Sequence, residues 1–166
     1  MPEAATVKRA RKKLQGGRSP STAAGEFVRE EIHHVREGKH GARSAKQAIA
    51  IGLSKARRAG VPLQPPRRGA SRRTRKAATR ALAAGQRRRK PRGASRTRKQ
   101  AAARALRREP RRAASHRALA GQAHRSAKRR GRKARVAAAR KAVRTKGRAS
   151  RRRAAKKAAT TRRRAT

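Results

Sequence analysis

The chain contains no cysteine, tryptophan, tyrosine or aspartate, and Phe27 is its only phenylalanine. Without cysteine it has no disulfides, no thiolate zinc sites and no cysteine nucleophile. Without aspartate the Ser-His-Asp arrangement of many hydrolases is impossible. No glycine-rich loop of the kind that cradles phosphates is present either. We therefore expect a protein that is not an enzyme, with no catalytic residues and no cofactor.

Long apolar runs are also missing. No segment approaches the ~18 apolar residues that a membrane-spanning helix needs. No apolar stretch follows Met1, where a secretory signal would carry one. We expect a cytoplasmic protein with no membrane partner.

Acidic residues are scarce: 6 stand against 55 lysines and arginines, which gives a formal net charge of +49. Residues 1–66 hold 14 basic and 5 acidic residues, whereas residues 67–166 hold 41 basic residues and Glu109 alone. Self-repulsion at this charge excludes one large globular domain. The composition predicts four segments: a basic N-terminal arm (1–18), a helical hairpin (19–63, "the head"), a proline-rich hinge (64–69) and a basic low-complexity region with degenerate repeats (70–166, "the tail").

The sequence of the head predicts two amphipathic helices. Val28, Ile32 and Val35 recur at helical intervals and predict a first helix from about Thr22 to Glu37. A second helix follows, in which small and aliphatic residues keep the helical period from Ala45 to Ala56.

Sequence signals mark both ends of the second helix. Ser44 and Gln47 form the S-x-x-Q version of a capping box at its start. At its end, Gly60 can adopt a left-handed conformation, Val61 can fold back on the helix, and Pro62 prevents continuation.

These features predict a mostly α protein: a small antiparallel helical hairpin followed by a long tail rich in Ala, Arg and Lys. We expect the tail to be disordered when free and helical in short segments when bound. We also expect Ile51 to be exposed and the hairpin to offer a surface for self-association or a protein partner. The predicted hairpin core is Phe27, Val28, Ile32, Val35, Ile49, Gly52 and Leu53.

Four glutamates and three histidines lie between residues 26 and 40. Glu30 and His33, like Glu31 and His34, have the i, i+3 spacing of carboxylate-bridged metal bundles, but such bundles need a second copy of the motif and further glutamates. The chain has no second copy, so we expect no metal site.

Glu31 falls within the apolar stripe of the first helix. We expect an ion pair to Lys46 or Lys55 of the second helix, or to a basic group of a partner.

The stretch GEFVREEIHHVREGKHGARSAKQAIAIGLSKARRAGV, residues 25–61, resembles the shared block of a bacterial family of small, very basic proteins of unknown function. The tail is similar in composition to the variable basic extension of that family and to the tails of linker histones. The resemblance implies a bacterial, nucleoid-associated protein and transfers no active site.

The tail carries a duplicated stretch, GASRRTRKAATRAL at 69–82 and GASRTRKQAAARAL at 93–106. Large aliphatic residues are so few in the tail that we expect nothing in it to pack. It has no aromatic residue to stack on single-stranded bases.

The expected partner is nucleic acid, DNA rather than RNA, bound through phosphates without base readout. Histone-like coating or compaction of DNA is the first interpretation. An RNA-associated or ribosome-associated protein, or an adaptor whose head recruits a protein, stays open. The candidate phosphate-binding residues, acting collectively, are Arg67, Arg68, Arg72, Arg73, Arg75, Lys76, Arg87, Arg88, Arg89, Lys90, Arg129, Arg130, Arg132, Lys133, Arg151, Arg152, Arg153, Lys156, Lys157, Arg162, Arg163 and Arg164.

A helix-turn-helix interpretation is also open. It would place Arg43, Ser44, Lys46 and Gln47 at the start of a groove-reading helix. The loop before that helix is longer than the usual turn of this motif.

Overall fold

The computed structural model of the chain describes residues 2–66, 69–86, 95–145 and 147–163. Within these ranges the residues form seven α-helices, one 3-10 helix and no strand, which confirms the mostly α fold class. The chain divides into two compact units, residues 1–122 and residues 123–166. The elements are α1 (Ala4–Gln15), α2 (Pro20–Arg36), α3 (Ala45–Arg58), α4 (Arg72–Gln86), α5 (Arg96–Arg108), the 3-10 helix (Arg111–Ala114), α6 (His116–Thr145) and α7 (Arg148–Arg163).

The ends of α2 and α3 follow from local hydrogen bonds. Ser19 caps α2, where its hydroxyl accepts from the amide of Thr22, so the helix begins two residues before the predicted Thr22. Ser44 caps α3 as predicted, and its hydroxyl accepts from the amide of Gln47 at 3.2 Å. The Gln47 side chain reaches back one residue further than expected and accepts from the amide of Arg43 at 2.8 Å.

The C-terminal end of α3 also has the predicted form. Gly60 has a φ of 89°, a value open to glycine and costly for other residues. The amide of Val61 then donates to the carbonyl oxygen of Ala56 at 3.1 Å, which is the six-to-one bond of a Schellman motif. Val61 is buried against the helix that it terminates.

α2 and α3 pack as an antiparallel pair. Phe27 belongs to one buried cluster with Ala56, late in α3, whereas Val35, late in α2, belongs to a second cluster with Ala48, early in α3. Of the seven predicted core residues, Phe27, Val35 and Gly52 are buried, and Val28, Ile32, Ile49 and Leu53 are half-buried.

A close backbone approach lies at the centre of this pair. A Cβ atom placed on Gly52 would lie 2.7 Å from the Cα atom of Val28. Glycine therefore allows α3 to sit closer to α2 than any other residue at this position could.

The segment 1–18, predicted as a basic arm outside the head, contains α1, and this helix packs against α2. Ala10 of α1 is buried in the same cluster as Phe27, with Val7 and Leu14 packed around it. These three α1 residues have helical spacing, three and four apart, a signal that the basic composition of the segment masked.

The expectation that nothing in the tail packs is wrong for α4. This helix contacts α3, and its Ala78 and Ala81 are buried. At its end, a Cβ atom on Gly85 would lie 1.9 Å from the carbonyl oxygen of Arg57. Small residues let two backbones approach closely, so this packing needs no large aliphatic side chain. Ile51, expected to be exposed, is half-buried, since α3 contacts α4 and the 3-10 helix as well as α2.

A second part of the tail, Leu106–Ala114, also binds to the head, and we call it the clasp. The carbonyl oxygens of Leu106 and Pro110 accept from the amides of Gly41 and Ala42 at 2.8 and 3.1 Å. The carbonyl oxygen of Ala114 accepts from Nε of Arg36 at 2.9 Å. A Cβ atom on Gly41 would lie 1.6 Å from the carbonyl oxygen of Glu109, so only glycine fits beneath the clasp.

The unit of residues 123–166 contains most of α6 and all of α7. Gly131 interrupts α6 with φ 74° and ψ 170°, values that no helix contains. The tail was expected to be disordered when free, but its described residues are mostly helical.

Among the helices that the structure describes, none combines the length and the apolar character that crossing a membrane requires.

Candidate nucleic-acid interface

The predicted phosphate-binding residues that the structure describes all lie on helices and are exposed. They are Arg72, Arg73, Arg75 and Lys76 on α4, Arg129, Arg130, Arg132 and Lys133 on α6, and Arg151, Arg152, Arg153 and Lys156 on α7. Arg67, Arg68, Arg87, Arg88, Arg89, Lys90 and Arg164 lie outside the described residues, as do the side chains of Lys157, Arg162 and Arg163.

Four cations of α4 lie on one side of the helix. Successive residues of an α-helix are rotated by about 100°, so Arg72, Arg73, Lys76 and Arg80 fall within an arc of about 100°. We call these four residues the α4 arc. The buried Ala78 and Ala81 lie on the opposite side of the helix, against α3. The α4 arc therefore lies on the exposed side of a helix that packing holds in place, and Arg73 at its edge also borders the groove between α4 and α3.

α5 repeats the sequence of α4 but not its packing. The residues that correspond to Ala78 and Ala81 are Ala102 and Ala105, and both are exposed. No residue of α5 is buried. α5 is attached instead through its C-terminal end, where Leu106 begins the clasp.

The glutamates of residues 1–66 are paired with cations of the same region. Glu26 is ion-paired with Arg9 at 2.9 Å and with Lys13. The hydrogen bond from Lys13, helped by that from Arg9, lowers the pKa of Glu26 below its ordinary value. Both partners belong to α1, which the sequence interpretation did not include in the head.

Two exposed glutamates are paired in the same way. Glu37 lies 3.0 Å from Lys39, and this contact lowers the pKa of Glu37 and raises that of Lys39. Glu3 accepts from His34 at 2.9 Å, and this hydrogen bond is the main cause of the lowered pKa of Glu3.

The buried pair predicted for Glu31 forms with Lys55 and not with Lys46. Nζ of Lys55 lies 2.6 Å from Oε2 of Glu31 and 3.6 Å from Oε1 of Glu30. The side chains of Glu31 and Glu30 are 0% and 2% exposed. Lys55 thus compensates two buried carboxylates with one positive charge.

Arg57 has a structural role, although its charge resembles that of the tail cations. It is buried, and it donates from Nε and Nη2 to the carbonyl oxygens of Leu63 and Gln64 at 3.0 and 3.2 Å. Burial lowers the pKa of its guanidinium. These bonds hold the start of the proline-rich hinge against the end of α3.

Acidic residues are scarce after residue 66. Glu109 is the sole acidic side chain among residues 67–166, against 41 basic ones. The other five glutamates are ion-paired within residues 3–55. Residues 67–166 therefore carry a large net positive charge.

The histidines noted in the sequence separate in the structure. His33 is 59% exposed and has only a 4.0 Å contact with Glu37. His34 lies close to Glu31, and His40, from the loop after α2, joins them. The i, i+3 argument could not place His40 there, since that residue lies outside the helix.

The fold and these contacts define a small helical protein with a compact N-terminal unit and an exposed excess of cations. Residues 16–68 match DUF6496, a family of unknown function. The matched region contains α2, α3 and the loop between them and ends before α4 begins, so the resemblance to an uncharacterised family is confirmed over these residues. No curated protein and no solved structure gives a significant match.

Proposed function

We propose that the protein is a non-enzymatic nucleic-acid-binding protein that holds duplex DNA through its phosphates, largely independently of base sequence. The observation that carries this proposal is the α4 arc, a set of cations on a helix whose opposite side is buried against α3. A surface that is already folded loses less conformational entropy on binding than a disordered segment does.

The charge of the chain supports the same partner. Duplex DNA carries about one negative charge per 1.7 Å, so about forty cations could neutralise roughly twenty base pairs. Arginine accounts for 40 of the 55 basic residues. Its planar guanidinium can donate two parallel hydrogen bonds to a phosphate, which the lysine ammonium cannot do.

Base readout has less support. Residues 67–166 contain no phenylalanine, tyrosine or tryptophan that could stack on an unpaired base. In the helix-turn-helix interpretation α3 would enter the major groove, and Arg43, Ser44 and Lys46 at its start are exposed. However, α3 already contacts α2, α4 and the 3-10 helix. A groove-reading helix needs an open face, so binding through phosphates is the better account.

The cellular role that fits this chemistry is histone-like coating or compaction of DNA in the bacterial nucleoid. Double-stranded RNA offers the same phosphate charge, and an RNA-associated role is the alternative within the same class. In an adaptor role, the folded unit would recruit a protein while the exposed helices hold it on DNA.

The test is fluorescence anisotropy of a labelled random-sequence duplex with the full-length chain. One variant replaces the four cations of the α4 arc by glutamine (Arg72, Arg73, Lys76 and Arg80). A matched variant removes the same charge from α1 and its flank (Lys8, Arg11, Lys12 and Arg18). We expect the α4 variant to bind more weakly than the α1 variant. Equal weakening, or no binding by the unmodified chain, would contradict the proposal.

Competition distinguishes the alternatives. Unlabelled duplex DNA and double-stranded RNA of equal length are added to the same complex, and the stronger competitor identifies the preferred polyanion. Crosslinking in cells followed by recovery of the protein tests the adaptor role. That role predicts one dominant protein partner, whereas DNA coating predicts chromosomal DNA.

A further inference from the structure

A second candidate site lies in the N-terminal unit, away from the exposed cations of α4. Glu31 and His34 are one turn apart on α2, and His40 belongs to the loop that follows. One ligand atom from each of the three residues lies within 4.8 Å of the other two. The side chains of His34 and His40 are 13% and 17% exposed, and that of Glu31 is 0% exposed. The site is therefore largely shielded from solvent.

The tautomer of neutral His40 is fixed by its backbone contact. Its Nδ1 lies 3.0 Å from the carbonyl oxygen of Gly41, and a carbonyl oxygen can only accept, so Nδ1 carries the proton. In the neutral ring Nε2 then presents a lone pair. That atom lies 3.3 Å from Oε1 of Glu31, which also presents a lone pair and carries no hydrogen. Two such atoms facing each other require a proton or a cation between them.

His34 is oriented in a similar way. Its Nε2 lies 2.9 Å from Oε1 of Glu3, and because an ionised carboxylate only accepts, Nε2 is the donor. The lone pair of Nδ1 is left available. Histidines that bind metals commonly donate their other ring N–H to a carboxylate or to a backbone carbonyl. His34 has the first arrangement and His40 has the second.

The buried carboxylate of Glu31 gives a second observation, independent of the distances between the three residues. Oε1 of Glu31 is buried and accepts no hydrogen bond from the residues that the structure describes. Lys55 sits by the other oxygen, Oε2, and also faces Glu30. Two buried carboxylates and one ammonium leave one negative charge uncompensated, which is costly in a largely dry site.

We propose that Glu31, His34 and His40 bind a divalent first-row transition-metal ion, with zinc as the probe. Two imidazole nitrogens and one carboxylate oxygen are ligands that zinc accepts in three-residue sites. Tetrahedral bonds of about 2.0–2.2 Å place ligand atoms about 3.3–3.6 Å apart. Oε1 of Glu31 and Nε2 of His40 are already at 3.3 Å. The His34 ligand atom, which lies within 4.8 Å of the other two, would move closer to complete the set.

The bound ion would tie the loop after α2 to the helix itself. That loop supplies Gly41 and Ala42, whose amides bind the clasp. The metal would thereby stabilise the surface on which the clasp docks. This proposal departs from the sequence-based expectation of no metal site, and it does not depend on nucleic-acid binding.

The test is isothermal titration of zinc into the full-length, nucleic-acid-free chain. We expect saturable 1:1 binding that weakens at least about tenfold in His40→Ala and in Glu31→Gln, since even outer-shell changes cost 10-fold to 100-fold in affinity. The matched control is His33→Ala, which removes an exposed histidine next to the cluster. It should bind zinc like the unmodified chain, and circular dichroism is used to check that each variant keeps its helicity.

A second readout does not depend on the variants. Cobalt(II) bound to the unmodified chain should give visible absorption bands typical of a tetrahedral site, and added zinc should abolish them. Absence of saturable binding would contradict the proposal. Binding of undiminished affinity in both His40→Ala and Glu31→Gln would place the ion on other histidines and would equally overturn it.

Discussion

Nζ of Lys55, in the last turn of α3, lies 2.6 Å from Oε2 of Glu31, in the middle of α2. Removing one partner of a buried pair leaves the other charge uncompensated, at a cost of about 3–5 kcal/mol. We expect Lys55→Met to lower the free energy of unfolding by about 3 kcal/mol, at the lower end because the lysine side chain is 21% exposed. Urea unfolding followed by circular dichroism in the presence of a chelator measures it.

The control for this change is Lys46→Met. Lys46 is exposed on α3 and was the other lysine considered as a partner for Glu31. Its substitution should change stability by less than about 0.5 kcal/mol, as for most surface positions. If the two variants lose equal stability, Lys55 does not compensate the buried carboxylates.

Gly52 and Gly25 are both helical glycines, but their replacement by alanine should change the stability of the protein in opposite directions. A Cβ atom on Gly52 would lie 2.7 Å from Cα of Val28, so Gly52→Ala must push α2 and α3 apart. We expect it to destabilise the protein by about 1–3 kcal/mol. A Cβ atom on Gly25 meets nothing within 4 Å, so Gly25→Ala should stabilise α2 by about 0.5–1 kcal/mol. Thermal melts compare the two variants. An unchanged melting temperature in Gly52→Ala would contradict the close packing of α2 and α3.

The clasp can be tested at Gly41. The Cβ atom of Gly41→Ala would lie 1.6 Å from the carbonyl oxygen of Glu109, which must then move away. In the unmodified chain the amide of Ala42 donates to the carbonyl oxygen of Pro110. In the variant this amide should exchange its hydrogen at least about tenfold faster, because the strain of about 1–3 kcal/mol weakens the contact. Gly147→Ala, where the Cβ atom has open space, should leave that exchange unchanged. Unaltered exchange in Gly41→Ala would show that the clasp is not docked there.

Glu26 gives the N-terminal unit an acid-sensitive contact. Lys13 and Arg9 lower its pKa in the folded state below the ordinary value of 4.5. The ionised group therefore stabilises the fold fully above that value, and the contribution is lost as the pH falls towards the lowered pKa. We expect Glu26→Gln to cost about 1 kcal/mol near neutral pH and progressively less in acid.

Melting temperatures of the parent and of Glu26→Gln, measured from pH 7 downwards, test this point. The difference between them should shrink below pH 4.5. A difference that stays constant across this range would mean that the charge of Glu26 does not stabilise the docking of α1 on α2.

The hairpin could be predicted from the sequence because its signals are local. Ser44, Gly60 and Val61 act through hydrogen bonds to residues a few positions away, so their types and spacing determine the ends of α3. The periodic apolar stripe of α2 identified its buried side. The position of Glu31 within that stripe was enough to predict a buried ion pair.

The packing of α1 had a sequence signal, the helical spacing of Val7, Ala10 and Leu14, which its basic composition masked. The docking of α4 and the clasp relies on alanines such as Ala78 and on glycines such as Gly41 and Gly85, which carry almost no hydrophobic signal. Gly60 predicted the end of α3 through its left-handed conformation, whereas another property of glycine, close backbone approach, decides Gly41 and Gly85. The cluster of Glu31, His34 and His40 was missed because a loop brings its third member into place.

The central claim is tested most directly by the salt dependence of binding to random-sequence duplex DNA. Each phosphate contact contributes a log–log slope of about −0.9, so ten simultaneous contacts give about −9. We compare the full-length chain with a full-length variant in which the 20 lysines and arginines of residues 123–166 are replaced by glutamine. The account predicts a steep slope for the first and a clearly shallower one for the second. Equal slopes would show that these cations do not contact phosphates, and a slope near zero for the unmodified chain would contradict the account as a whole.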